Sequence, residues 1–194
     1  MAEARGAVTP RTERVEQRLR ERFPHVGFRR QQGEAVRDHS IYVPAEHLHE
    51  VVTFLRDDPE LEFAMLASLC GVDFLPREPR FEVVYHLLSI THNLRIVLKV
   101  QLHEERAEVD SVVDVWPTAN WHEREAYDFY GIKFLGHPDL RRILLPDDWV
   151  GWPLRKDSPL GYQEVAFTHN TPNRTVPDPD LKKLKPKKVK YRAH

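Results

Sequence analysis

Between Thr12 and Phe23 the apolar residues Val15, Leu19 and Phe23 recur at every fourth position among Glu and Arg, which is the period of one helical face, and Pro24 ends the run. Val26 to Gln32 and Ala35 to Val43 then read as two strands, with Gln32 and Gly33 at the turn. Pro44 opens a second helix that runs to about Leu55, because Leu48, Val51, Val52 and Leu55 fall on one side of it. Three further apolar segments follow, Leu61 to Leu69, Phe81 to Ile90 and Leu94 to Leu102. The last two are rich in branched and aromatic residues and are joined by Thr91-His92-Asn93 in the manner of a hairpin. The order helix, two strands, helix, three strands predicts an α+β fold, a two-layer α/β sandwich with helices packed on one face of the sheet.

After Glu108 the pattern changes. SVVDVWPTANWHEREAYDFYG supports a helix that begins near Pro117, and Gly131 is a natural stop for it. At 100° per residue, Ala119, Glu123, Ala126 and Tyr130 share one side, while Trp121, Arg124, Glu125 and Asp128 share the other. A carboxylate on the apolar side needs a cation or hydrogen-bond donors once buried, so Glu123 is expected to pair with Arg141 or Arg142. Trp121, set among charges, reads either as an interface anchor or as a single exposed indole. From Phe134 onward eight prolines, Pro138 to Pro186, punctuate a region of little apolar periodicity, which reads as an extended arm.

Composition narrows the chemistry. With 194 residues, 41% of them hydrophobic and 30% charged, the chain can build one domain with a real core plus extensions. The single cysteine, Cys70, excludes an intrachain disulfide or a site of several thiolates, and its apolar neighbours suggest a buried core position. His122-Glu123 is followed by Arg124, Glu125 and Ala126, so the second histidine of a zinc-protease helix is missing. Nucleophile-elbow, P-loop and dinucleotide fingerprints are absent. The apolar run from Phe63 to Val72 is about half of what a bilayer-spanning helix requires, and the N-terminus lacks the apolar stretch of a signal peptide; a cytoplasmic location is the expectation. A net charge of −1 gives no general attraction to nucleic acid. Leu181 to His194 carries seven Lys or Arg and no acid, which is expected to be a solvated basic tail, not a nucleic-acid site, since Tyr191 is its only aromatic residue.

The segment EREAYDFYGIKFLGHPDLRRILLPDDWVGWPLRKDSP, Glu123 to Pro159, resembles the signature of a known family, E-R-E-x-Y-D-x-x-G-I-x-F-x-G-H-P-D-L-R-R-I-L. That family is the 30 kDa subunit of respiratory complex I, the C-type subunit of bacterial NADH-quinone oxidoreductase. The likeness runs on to Arg155-Lys156-Asp157, with Ser158 where the family usually has Tyr, and extends weakly upstream to about Pro44. It implies an α-β(2)-α-β(3) fold with a mixed sheet, followed by a docking helix and a C-terminal arm. The expected organisation is a flexible N-terminus over 1–11, the domain with its docking helix over 12–134, and a Pro-rich partner-binding arm with the basic tail over 135–194; the resemblance covers neither the N-terminus nor the basic tail.

By resemblance, the chain is a structural subunit of the peripheral arm, beside the 49 kDa-type subunit that helps form the quinone pocket. It carries no catalytic residue, cofactor or metal of its own; NADH, FMN, iron–sulfur clusters and quinone belong to the whole proton-translocating complex. It reaches the cytoplasmic side of the cell inner membrane only through that complex. The expected partner interface comprises Trp121, from its place among charges on the helix, and, by resemblance, Glu123, Arg124, Asp128, Gly131, Gly136, His137, Pro138, Asp139, Arg141, Arg142, Arg155, Lys156 and Asp157. Two other readings stand beside this one: the equivalent subunit of a membrane-bound hydrogenase or formate hydrogenlyase, and a stand-alone cytoplasmic hydrolase using His122 and Glu125.

Overall fold

A computed structural model describes residues 10–31 and 39–158. The expected turn at Gln32 and Gly33, the N-terminal nine residues, the arm beyond Ser158 and the basic tail lie outside the described residues. The elements are α1 (Pro10–Arg22), β1 (Arg29–Arg30), β2 (Ser40–Tyr42), α2 (Leu48–Asp57), β3 (Met65–Asp73), β4 (Phe81–Ser89), β5 (Leu94–Leu102), β6 (Glu108–Asp110), α3 (Ala119–Tyr130) and β7 (Lys133–Leu135). The order through β5 matches the sequence pattern. Pro44 does not enter α2 directly; it precedes a single 3₁₀ turn, Ala45–His47, that leads into the helix.

β1 to β5 form one mixed sheet in the order β1-β2-β5-β4-β3, antiparallel except where β2 runs parallel to β5. β4 and β5 pair over their whole length, Phe81 with Leu102 through Ser89 with Leu94. The hairpin turn holds Asn93 at φ 50°, a left-handed conformation that Asn tolerates better than most residues. Register decides the faces. Phe81, Val83, Tyr85 and Leu87 of β4 lie level with Leu102, Val100, Leu98 and Ile96 of β5, and all eight are buried in one core with Val15 and Leu19 of α1 and Leu48, Val51, Val52 and Leu55 of α2. Helices therefore cover that face. The opposite face carries the Lys99–Glu82 ion pair, at 2.8 Å, and Cys70.

β3 starts at Met65, four residues later than the apolar run suggests, because Leu61 and Phe63 are buried in the connection that leads out of α2. This shift also corrects Cys70. In a strand successive side chains alternate, so Leu69 points into the core and Cys70 out of it, and the thiol is exposed. Trp116 is buried and its indole N–H donates to the Phe63 carbonyl at 3.0 Å, tying the connection before β3 to the turn before α3.

β6 and β7 are two short strands that the sequence pattern does not predict. They pair in parallel, Glu108 with Lys133 through Asp110 with Leu135, and α3 is the crossover between them. The helix lies against β3, where Gly71 makes the close approach possible: a Cβ on Gly71 would sit 2.8 Å from the Tyr130 ring. Replacing Gly71 with Val should therefore destabilise the fold by about 1–3 kcal/mol, the usual range for overpacking, read from the midpoint of urea unfolding.

Candidate docking site

α3 ends where Gly131 adopts φ 73° and donates its N–H back to the Tyr127 carbonyl at 2.8 Å. The left-handed cap alone favours glycine. Packing adds a second reason, because a Cβ here would lie 2.5 Å from the Trp152 ring and 2.8 Å from the Arg155 guanidinium. The described arm folds back over the helix that precedes it.

One face of α3 points to the sheet and carries Ala119, Glu123 and Ala126; Asp128, placed by wheel geometry among the exposed residues, is also fully buried. Its Oδ2 accepts the backbone N–H groups of Ile143, Leu144 and Leu145 at 3.1, 2.8 and 3.0 Å, and Oδ1 pairs with Arg142 at 2.8 Å. Burial alone would push this carboxyl up. The Leu145 N–H, the Arg142 guanidinium and the other two N–H groups together outweigh it and hold the acid below its ordinary range.

Arg142 also donates to the Trp149 and Gly151 carbonyls at 3.2 and 3.0 Å and stacks on Trp152 at 4.6 Å. Arg124, stacked on Trp121, donates to the carbonyls of Arg141 and Arg142 at 3.2 and 3.3 Å. His137 donates Nε2–H to the Asn120 carbonyl at 3.3 Å and accepts the Asp139 N–H on Nδ1 at 3.0 Å, a pairing that a neutral imidazole satisfies. Burial, aided by Arg124, lowers its pKa in keeping with that state.

The far end of the described arm is held by a second buried cluster. Arg80, 1% exposed, grips Asp73 with Nε and Nη2 at 3.1 and 2.9 Å on one edge and Asp157 with Nη1 and Nη2 at 3.2 and 2.6 Å on the other. Nη1 also reaches Glu104 at 2.5 Å. Asp73 accepts the Lys156 N–H at 2.9 Å as well, and Arg155 donates to the Tyr130 carbonyl at 2.7 Å. One guanidinium thus joins β3, the loop after β5 and the arm.

The expected pairing of Glu123 with Arg141 or Arg142 does not occur. Glu123 is fully buried and accepts the Ser111 hydroxyl at 2.6 Å and the Val112 N–H at 2.8 Å. Arg142 serves Asp128, and Arg141 pairs with Asp139 at 2.9 Å. The reason is angular: Glu123 faces the sheet side of α3, whereas the arm carries both arginines past another side of the helix. Desolvation raises the Glu123 pKa to about 7, only partly offset by its two donors.

Of the predicted site residues, the structure gathers Arg124, Asp128, Gly131, His137, Arg142, Arg155 and Asp157 into contacts within the chain. Trp121, Gly136, Pro138, Asp139, Arg141 and Lys156 are exposed. The sequence pattern does not single out Arg80, Ser111 or Trp152, and Tyr127 enters only as the tyrosine of the quoted signature. An Asp and an Arg bracketing a strand-to-strand turn, as Asp73 and Arg80 do, is the available signal for the first of these.

The family model described as respiratory-chain NADH dehydrogenase, 30 Kd subunit, matches residues 41–164, which span α2 to α3 and the clusters around Asp128 and Arg80. The chain belongs to this 30 kDa subunit family. Its relatives in the family include the C-type subunit of NADH-quinone oxidoreductase from Roseiflexus sp. (strain RS-1), 60% identical over 133 residues, covering 69% of this chain and 76% of the relative. Another is the same subunit from Herpetosiphon aurantiacus, 47% identical over 156 residues, covering 80% and 89%. Among solved structures, a trypsin-resistant fragment (1–134) of Nqo5 aligns with a TM-score of 0.56 at 32% identity, covering 67% of this chain and 99% of the fragment. A chain from an archaeal membrane-bound sulfane sulfur reductase aligns with a TM-score of 0.61 at 23% identity, covering 77% and 86%, and shares the fold. Membership in the 30 kDa subunit family makes this chain a subunit of an oxidoreductase complex.

Two variants separate the carboxyls of α3. Glu123 has a folded-state pKa raised from 4.5 to about 7, so the stability it contributes is fully present below pH 4.5 and is lost as pH rises through 7. That loss is on the order of 3 kcal/mol. Glu123→Gln should remove it, so the variant gains stability relative to the parent between pH 5 and pH 8 in urea titrations. Asp128→Ala should instead cost about 3–5 kcal/mol by leaving Arg142 and three N–H groups without their acceptor. Limited proteolysis should then cut near Leu144 much faster.

Proposed function

We propose that this chain is a non-catalytic architectural subunit of the peripheral arm of proton-translocating NADH:quinone oxidoreductase, docked beside the 49 kDa-type subunit. The observation that carries the reading is the family match together with an irregular segment, His137 to Ser158, clamped at both ends by buried charge. A segment so held is a rigid connector; its irregular backbone presents side chains at set positions to a neighbour. Charged groups of defined geometry fix register and suppress wrong partners more than they add affinity.

In this reading Trp121, Gly136, Pro138, Asp139, Arg141 and Lys156, exposed in the chain alone, meet the partner. Glu123, Arg124, Asp128, Gly131, His137, Arg142, Arg155 and Asp157 hold the frame behind them. NADH, FMN, the iron–sulfur clusters and quinone are bound by other subunits. No described helix is long and apolar enough to cross a membrane, which is consistent with a peripheral subunit held on the cytoplasmic side of the cell membrane through the complex. The resemblance to the sulfane sulfur reductase chain concerns the fold alone, and the 60% identity to the Roseiflexus subunit puts the NADH-linked complex first.

Tagged chain recovered from its native membranes in mild detergent should bring with it a 49 kDa-type subunit and NADH-dependent quinone reductase activity. A clean soluble monomer would sink the reading, and a complex that uses another electron donor would move the chain to a related enzyme.

A further inference from the structure

Of the eight large hydrophobic side chains exposed among the described residues, four fall within residues 144–154: Leu144 at 60%, Trp149 at 46%, Val150 at 94% and Leu154 at 49%. The others, Met65, Ile90, Trp121 and Leu135, are scattered over β3, the turn after β4, α3 and β7. Such a concentration on an otherwise polar chain is the mark of a contact surface.

The loop that carries them is built, not loose. The Trp149 N–H closes a turn on the Pro146 carbonyl at 3.0 Å, and Gly151 reverses the chain at φ 89°. Arg142 spans the turn from beneath by donating to both the Trp149 and Gly151 carbonyls, at 3.2 and 3.0 Å, while the same guanidinium is fixed to buried Asp128. On the C-terminal side Trp152 is wedged against Tyr127, ring centroids 5.2 Å apart, and the Leu154 N–H donates to the Phe129 carbonyl at 3.3 Å. The backbone polar groups are thus turned toward α3, leaving the apolar side chains outward. A loop already held in place loses little conformational freedom on binding, and exposed Trp is enriched among residues that dominate interface energy.

Charge selects the kind of partner. Asp147 and Asp148 sit next to Trp149, are exposed, and make no ion pair among the described residues, whereas Asp139 and Asp157, the other acids between His137 and Ser158, each have an arginine. Two exposed acids, unpaired among the described residues and set beside an apolar tip, are repelled by an anionic lipid surface and suit a protein cleft rimmed with Lys or Arg.

We propose that the Pro146–Gly151 loop is a preformed anchor that inserts Trp149 and Val150 into an apolar cleft of a neighbouring protein subunit, with Asp147 and Asp148 meeting a basic rim. The proposal rests on the reading of the chain as one subunit of a larger complex and deepens it. It is tested by placing the photocrosslinker p-benzoylphenylalanine at position 150 of the full chain, irradiating native membranes and mapping the crosslinked peptide in the recovered complex. The expected product joins position 150 to one subunit at an apolar peptide flanked by Lys or Arg, and Asp147→Lys with Asp148→Lys lowers its yield at least about fivefold at low salt. Thermal unfolding of the same charge-reversed chain should match the parent, because both side chains are solvated. If the complex is recovered intact but position 150 crosslinks to lipid, to a second copy of the chain or to nothing, the anchor is overturned while the subunit reading stands. A chain recovered with no other subunit overturns both.

Discussion

The buried carboxylate of Asp128 lets an irregular stretch of backbone pack as though it were a regular element. Three consecutive N–H groups, from Ile143 to Leu145, have no helix or strand to satisfy them, and leaving them dry would cost on the order of 1–3 kcal/mol each. Asp128 accepts all three and takes Arg142 as its counter-ion. Arg142 in turn supports the next turn of the arm and the Trp152 ring, so positions from 128 to 152 depend on one charge in one place. The cluster around Arg80 repeats the logic with the signs exchanged: there the cation is buried at the centre, and Asp73, Glu104 and Asp157 stand around it.

Comparison of Asp128 with Glu123 shows what decides the state of a buried acid. Both side chains are withdrawn from water on the same short helix. Asp128 has a cation and three N–H donors, and these exceed the cost of desolvation; Glu123 has one hydroxyl and one N–H, and desolvation wins. The two acids consequently answer pH in opposite directions. Asp128 favours the fold once ionised, and its contribution fades as pH falls through its lowered folded-state pKa; Glu123 favours it while protonated.

Much of the scaffold is legible in the pattern of apolar residues. α1, α2, β4 and β5 appear where periodicity puts them, because each buries one face against a single continuous core and the period of the side chains follows directly. Gly131 and the helix before it are equally visible. The departures have physical causes. β6 and β7 are three residues each, too short to show a period, and form only because α3 brings them together. The neighbours of Cys70 in sequence suggest burial, whereas strand alternation turns its side chain out. A helical wheel directs Asp128 to solvent because it allows for one buried side; the arm supplies a second.

By itself the sequence determined the class of fold, the placement of its main helices and strands, the exclusion of thiolate clusters and phosphate loops, and, through the Glu123 to Pro159 signature, the family. Those properties depend on residue types and short spacings that no tertiary contact alters. The tertiary structure decided which charge meets which: Arg142 with Asp128 and not Glu123, Arg80 with Asp73 and, across 77 positions, with Asp157, and the outward set of Trp149 and Val150. Ion pairing depends on distance and burial at the ångström scale, and along an arm without a repeating backbone geometry spacing in sequence carries no such distances.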